Sequence, residues 1–242
     1  MKLFTYQELE TRVRNDLDLN DSNNFIGSEE MVSLFNEALQ DAESEIMSLN
    51  QDYFLKQATI TLVQGQSAYS FPTDIYGQKI RSLMYVNGPK IYPIIRIKEL
   101  HEFYKYEEVN YYATGETEYG YILLNQTAGL ESKISLAPPA IEDGPYVRIY
   151  YIRHAQRIPL IGENGATRAT QLATIVDLPE WADYMIQFVK CRCYEKEMDP
   201  RLPAALEALA NRKKMMVESL SKQVVDNSDD IPMDIQFYTE HN

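Results

Sequence analysis

One change in hydrophobic period, near residue 58, constrains the fold of this chain more than any other feature. Before it, apolar residues recur at helical spacing, whereas from there to residue 152 they alternate in short segments. Residues 58–62 and 69–71 predict two half-buried strands, joined as a β-hairpin through the turn residues Gln64, Gly65 and Gln66. The sequence therefore predicts a helical segment that leads directly into a β-domain.

Two helices are predicted before the β-domain. Thr5 and Glu8 have the spacing of a capping box, which predicts a helix over residues 6–17. Ser28 is predicted to cap the second helix, because acidic residues follow it and favour a helix N-terminus. The apolar residues of this second helix keep helical spacing for about five turns: Met31, Phe35, Ala38, Leu39, Ala42, Ile46 and Leu49.

The second predicted helix also carries four acidic residues on its other faces: Glu37, Asp41, Glu43 and Glu45. Two interpretations of these residues remain open. They form either a functional polar wall or the ordinary solvated face of an amphipathic helix.

The β-domain is predicted to contain about six or seven strands, a density typical of a sandwich or a partly open barrel. Asn87-Gly88 is the strongest hairpin signal in the chain. Pro89 and Pro93 should confine the returning strand to a sheet edge, because proline cannot donate to a ladder. The other strands are predicted at residues 79–86, 119–124, 133–137 and 146–152.

The C-terminal third is predicted to contain a loop, two helices and a tail. Residues 153–176 show no periodicity and predict a long loop, which is usually functional or mobile. Asp177 and Pro179 predict a helix start. Heptad-like spacing predicts a last helix that ends near residue 225, followed by an apolar, strand-like tail.

Charge and cysteine content exclude several function classes. The 242 residues include 23 basic and 36 acidic ones, a net charge of −13, which argues against a nucleic-acid-binding surface. Residues 1–56 alone hold 4 basic and 12 acidic residues. Cys191 and Cys193, together with the absence of an apolar leader, lead us to expect a reducing, cytoplasm-like compartment. No apolar run approaches the length of a bilayer span.

Signals for catalysis are absent from the sequence. His101, His154 and His241 lie in different predicted elements without carboxylates or cysteines at ligand spacing, so neither a metal site nor a triad is predicted. There is no phosphate loop, dinucleotide turn or nucleophile elbow. We therefore expect no cofactor, no metal and no enzymatic activity.

Several motifs occur in an informative order along residues 28–225. They are Asp-Tyr-Phe-Leu at 52–55, Thr-Ile-Thr-Leu-Val at 59–63, Gly-Gln-Ser-Ala-Tyr-Ser-Phe-Pro-Thr-Asp at 65–74, Ile-Ser-Leu-Ala-Pro-Pro at 134–139 and Asp-Leu-Pro-Glu-Trp at 177–181. In these motifs the chain resembles the head-to-tail adaptor proteins of tailed bacteriophages, which form a ring beneath the portal. The motifs concern fold and turn chemistry and contain no catalytic signature.

This resemblance implies an α+β fold. A helical bundle from the N- and C-terminal helices, residues 1–56 and 177–226, would hold an inserted antiparallel β-sandwich or barrel-like domain, residues 57–152. The loop at 153–176 and an extended C-terminal tail, residues 227–242, complete the predicted domains. Copies of the chain would assemble as a twelve-fold ring.

The resemblance also implies partners and sites. The chain would be made in the host cytoplasm and placed at the head-tail junction of the virion, with no membrane contact. Its partners would be the portal, a tail, nozzle or neck protein below, and genomic DNA passing without sequence-specific binding. The acidic residues Glu37, Asp41, Glu43 and Glu45 are the candidates to face the channel. The candidate portal-binding residues are Ile231, Pro232, Met233, Ile235, Phe237 and Tyr238.

Two alternatives from other function classes remain open. The β-domain could be a receptor- or glycan-binding module of a phage tail or fibre, with the helices as a stalk. A hydrolase would need a pair of carboxylates, and the candidates lie in one polar segment: Glu107, Glu108, Glu116 and Glu118.

Overall fold

The protein folds as two compact units. The computed structural model describes residues 3–19, 25–103, 119–124, 133–140 and 142–228, with the backbone alone for 223–228. The described residues up to Gln51 and from Ala155 onwards form the helical unit, and those within Asp52–His154 form the β-unit. The N- and C-terminal helices thus pack together and the sheets are inserted between them, which confirms the predicted α+β fold.

The helical unit is organised around its fourth helix. Its helices are α1 (Tyr6–Asp16), α2 (Ser28–Leu49), α3 (Arg168–Ala173), α4 (Ala182–Glu197) and α5 (Leu202–Ser228). Helix α4 packs against α1, α2 and α5. It is buried on several sides for this reason, and its buried residues include Tyr184, Met185, Ile186, Val189, Cys191 and Cys193. The structure therefore unites segments from both halves of the chain around one element.

The caps of these helices agree only in part with the prediction. The capping box of α1 is confirmed, since Thr5 N donates to Glu8 Oε2 (2.9 Å) and Glu8 N donates to Thr5 Oγ1 (3.3 Å). The predicted cap at Ser28 is wrong, because the extended residue before α2 is Gly27 and Ser28 is already helical. The helix start predicted from Asp177 and Pro179 is confirmed in part, since a 3-10 helix begins at Pro179 and leads into α4. Asp177 is not its cap, because the residue before the helix is Leu178 and Asp177 Oδ2 accepts a hydrogen bond from Gln156 N.

The β-unit contains two four-stranded sheets. The first sheet has the order β1-β8-β3-β4 and the second has the order β2-β7-β6-β5. Their strands are β1 (Leu55–Thr61), β2 (Ala68–Ser70), β3 (Ile75–Asn87), β4 (Lys90–Pro93), β5 (Ile95–Arg96), β6 (Gly120–Leu124), β7 (Lys133–Ala137) and β8 (Tyr146–Arg153). The Asn87-Gly88 hairpin and the edge position of β4 are confirmed. Residues of both sheets form one apolar core, which includes Leu62, Tyr69, Leu83, Ile134 and Ile149.

The predicted hairpin at residues 58–71 is wrong. Strand β1 pairs with β8 and strand β2 pairs with β7, so the two strands lie in different sheets. Between them Gly65 has a φ of +75° and donates its N–H to Ala140 O. The glycine turn thus leads the chain from one sheet to the other. The β-unit also departs from a purely antiparallel arrangement, because β5 and β6 are parallel.

The segment predicted as a loop at 153–176 contains short helical structure. A 3-10 helix covers Glu163–Gly165, and α3 follows Thr167, whose side chain accepts a hydrogen bond from Thr170 N. A helix of six residues is too short to give a recognisable hydrophobic period. At the other end of the chain, α5 continues to Ser228, beyond its predicted end near residue 225 and into the predicted tail.

Candidate assembly surfaces

The four acidic candidates on α2 have different environments. Glu43 has 5% relative exposure, and its Oε1 accepts a hydrogen bond from Ala155 N at 3.0 Å. This carboxylate therefore holds the start of the segment after the β-unit against α2. A buried carboxylate that satisfies a backbone donor has a structural role in the fold.

Asp41 and Glu45 belong to one polar cluster between three helices. Lys213 of α5 lies 3.1 Å from Asp41 Oδ2 and 2.7 Å from Glu45 Oε1, and the hydroxyl of Tyr184 in α4 donates to Asp41. Burial opposes the charge on Lys213, but its hydrogen bonds to Glu45 and Asp41 raise its pKa overall. Burial and the neighbouring Asp41 raise the pKa of Tyr184. The cluster therefore links α2, α4 and α5 and neutralises part of the acidic charge.

Glu37 is the most exposed of the four candidates. Its side chain is 54% exposed, and Oε2 lies 3.9 Å from Arg192 Nε. The guanidinium of Arg192 in turn lies 5.2 Å from the ring centroid of Phe188. A shallow groove of about 360 Å³ is lined by Glu37, Gln40, Asp41, Ser44, Phe188 and Arg192.

The outward face of α2 is a polar stripe. It consists of the exposed residues of the helix, which are Glu29, Ser33, Glu37, Gln40, Ser44 and Ser48. The three serines donate their hydroxyls to carbonyls of the preceding turn. This face therefore offers a mostly neutral, hydrogen-bonded surface with two carboxylates, Glu29 near its start and Glu37 in its middle. Glu29 accepts hydrogen bonds from Gln171 and from Ile161 N.

A second charged cluster was not predicted from the sequence. Glu10 is buried, and its carboxylate accepts hydrogen bonds from Arg14 and from Arg168 of α3. Arg168 also donates to Gln171, which is fully buried and donates to Glu29 Oε1 and Pro159 O. The spacing of Glu10 and Arg14 was visible in the sequence. The contributions of Pro159, Arg168 and Gln171 were not, because these residues lie in the segment predicted as a loop.

Another groove lies on the exposed face of α1. Its volume is about 620 Å³, and it is lined by Phe4, Gln7, Glu8, Thr11 and Arg12. Arg12 Nη2 lies 3.3 Å from Asp183 Oδ1 of α4, and both side chains are exposed. An exposed pair of this kind contributes little to stability. The groove is therefore a surface feature of the helical unit.

Asp74 is the centre of a partly exposed polar cluster in the β-unit. Asp74 accepts hydrogen bonds from Lys56 Nζ and the Tyr151 hydroxyl, each at 2.7 Å. Burial opposes ionisation of Asp74, but the bonds from Lys56 and Tyr151 lower its pKa overall. This carboxylate ties β1 and β8 to the start of β3.

The structure tests only part of the predicted sites. The candidate tail residues 231–238 and the glutamates 107, 108, 116 and 118 lie outside the described residues. Within the described residues, no group of His, Cys, Asp or Glu side chains is arranged to hold a metal ion. None of the helices in that part of the chain is both long and apolar enough to cross a membrane.

Comparisons with known proteins add one family match. The family model described as "SU10 adaptor protein" matches residues 4–232, which is nearly the full chain. The comparison with curated proteins found no match.

Proposed function

We propose that this chain forms a ring beneath the portal and continues the DNA channel. The chain belongs to the SU10 adaptor protein family of phage head-tail adaptors. Family membership confirms the predicted resemblance, and it confirms that the chain is a structural protein and not an enzyme. Its binding partners are therefore other components of the phage virion. The family match over residues 4–232 is the observation that carries the proposal.

The geometry of the helical unit supports assembly of several copies. Helices α2 and α5 span about 33 and 40 Å, so long helices could stand side by side around a channel. Among the described side chains of α5, Ala205 and Leu220 are buried, whereas Leu206 and Met215 are exposed. A long helix with so little burial inside its own unit suits contact with a neighbouring copy.

The charge of the chain supports passage of DNA. A ring of chains with a net charge of −13 each would repel the genome, which prevents adhesion to the wall. We propose that Glu37, with the neutral stripe around it, faces the channel. Asp41 and Glu45 contribute less because Lys213 is paired with them. Glu43 is buried and is no longer part of the proposed wall.

We further propose that the C-terminal segment binds the portal. The alternating apolar residues of this segment would fit an apolar surface, and a ring would present many such segments at once. The residues concerned are Ile231, Pro232, Met233, Ile235, Phe237 and Tyr238.

Negative-stain imaging of the chain with and without its portal tests the proposed function. We expect rings with rotational symmetry about a central hole, stacked on the portal along one axis. Native mass spectrometry that gives a trimer, together with glycan binding, would instead favour a receptor-binding module. Particles without a central hole in the presence of portal would contradict the ring.

A further inference from the structure

The hydrogen-bond register of β1 leaves one set of backbone groups facing outwards. Arg153 N donates to Phe54 O at 3.1 Å, and Leu62 N donates to Pro145 O at 3.0 Å. These bonds flank the β1-β8 ladder, in which every residue of β1 has an assigned partner. Because hydrogen-bonded pairs alternate in an antiparallel ladder, the even-numbered residues of β1 bond to β8. The N–H and C=O groups of Gln57, Thr59 and Thr61 therefore point away from β8.

Strand β1 is an edge strand of the first sheet, and it lacks the features that usually protect an edge. It contains seven residues and no proline. Its one charged residue, Lys56, is bound to Asp74. Gln57, Thr59 and Thr61 are exposed. Long unprotected edges are templates for pairing with another chain.

The other three sheet edges of the described residues differ from β1. Strands β2 and β5 contain three and two residues. In β4, the bond from Ile94 N to Leu83 O fixes which residues pair with β3, so that the backbone groups of Ile91 and Pro93 point away from β3. Of these two residues, Pro93 has no N–H to donate to an added strand. These edges are therefore poor sites for an added strand, and β1 is the suitable one.

We propose that the edge of β1 binds an extended segment of a neighbouring virion protein, which adds a strand beside Gln57, Thr59 and Thr61. This inference rests on the proposed adaptor function. Ala58 and Ile60 face the inter-sheet core and are half-buried, whereas Thr59 and Thr61 face outwards. The segment should therefore alternate apolar and polar residues, with its apolar side chains continuing the core.

A second copy of the chain is a less suitable occupant. A ring contact joins two different surfaces of neighbouring copies. A continuous ladder would need a second receptive edge on the β-unit, and Pro93 weakens β4 in that role. Pairing of β1 with β1 would close a two-fold dimer, which is not a step towards a ring.

The variant Thr59→Pro tests the proposal, with Thr59→Ala as its matched control. Proline at this position removes an outward N–H and leaves the bonds from even-numbered residues to β8 in place. Alanine keeps the N–H and removes only the side-chain hydroxyl. The variants are supplied to phage that lack their own copy of this protein. There, T59P should lower the yield of tailed particles by about tenfold or more, because the same hydrogen bond is lost in every copy. T59A should give the yield of the parent protein.

Amide hydrogen exchange on the unmodified protein gives a second readout that does not depend on folding of the variant. In the free chain, the amides of Gln57, Thr59 and Thr61 should exchange fast, and those of Ala58 and Ile60 should exchange slowly. In assembled head-tail particles, the three outward amides should slow by about tenfold or more, with little change at the other two.

The outcomes separate this inference from the proposed function. Heads that carry T59P but lack tails, with the alternating exchange pattern, support the docking edge. Tailed particles at equal yield for T59P and T59A, or unchanged exchange of the outward amides on assembly, overturn the docking edge and leave the adaptor role intact. Protection of these amides in a dimer of the purified chain also overturns it. Absence of the chain from unmodified heads overturns the proposed function itself.

Discussion

The hydroxyl of Tyr184 donates a hydrogen bond to the carboxylate of Asp41 and thereby joins α4 to α2. Tyr184 is buried, and its ring packs edge-on against Trp181 with centroids 5.4 Å apart. Lys213 approaches the same carboxylate from α5. One acidic residue of α2 is therefore a meeting point for three helices.

Replacing Tyr184 by phenylalanine should lower the free energy of unfolding by about 1–2 kcal/mol, because Asp41 loses a partly buried donor while the ring is retained. Urea unfolding measures the change. Tyr194→Phe is the matched control in the same helix, since Tyr194 makes its contact through the ring, 4.7 Å from the Arg201 guanidinium. Equal losses for the two variants would contradict the assigned role of the Tyr184 hydroxyl.

Replacing Arg168 by methionine should lower the free energy of unfolding by about 1.5–3 kcal/mol, because the buried carboxylate of Glu10 loses a charged partner. Arg192→Met is the control. Arg192 is exposed and pairs with Glu195 at 3.0 Å, so its loss should cost less than about 1 kcal/mol. Urea unfolding of both variants at the same salt concentration measures the two losses. A larger loss of unfolding free energy for Arg192→Met than for Arg168→Met would contradict the stabilising contact between Arg168 and the buried Glu10.

The buried thiol of Cys193 should make the protein less stable at alkaline pH. Burial raises the pKa of Cys193 to about 12, whereas an unfolded cysteine has a pKa of about 8.5. Between these values the unfolded chain releases a proton that the folded chain retains. The stabilising contribution is therefore complete below pH 8.5 and is lost as pH rises towards 12.

Cys193→Ala removes this titration. The free energy of unfolding of the parent should fall more steeply than that of C193A between about pH 8 and pH 10. The difference in unfolding free energy between the two proteins should therefore become smaller as the pH rises. Urea unfolding at several pH values measures both curves. A gap that does not depend on pH would contradict the raised pKa.

Removing residues 229–242 should abolish binding to the portal without unfolding either unit, because α5 continues to Ser228 and the deletion begins after it. Thermal unfolding should match that of the full chain, and co-sedimentation should show the loss of portal. Ile235→Ser with Phe237→Ser should reproduce the loss, whereas Gln236→Ala should bind as the parent does. Full binding by the truncated chain would dismiss the proposed role of the segment.

Local signals in the sequence were sufficient for much of the fold. The capping box at Thr5 and the Asn87-Gly88 turn involve residues at most a few positions apart, so their geometry follows from local chemistry. The strand over Lys133–Ala137 was predicted with its observed bounds, because it is a short apolar run that ends at prolines.

Partners distant in the chain were not predictable in the same way. The pairing of β1 with β8 joins residues such as Ala58 and Ile149, and only the assembled sheet selects it over the local hairpin. The burial of Glu43 depends on a backbone donor at Ala155, which follows the inserted β-unit in the sequence. A carboxylate that binds such a donor has the same sequence signature as a solvated one, so the four acidic candidates could not be separated from the pattern alone.

The insertion of the β-unit also affects how the protein is made. During synthesis on the ribosome, the residues of the β-unit emerge before α4, so the sheets can begin to fold while α1 and α2 still lack the helix that covers their apolar faces. A prematurely terminated product would keep the sheets but lack the completed bundle. The helical unit can therefore be completed only after translation has passed α4.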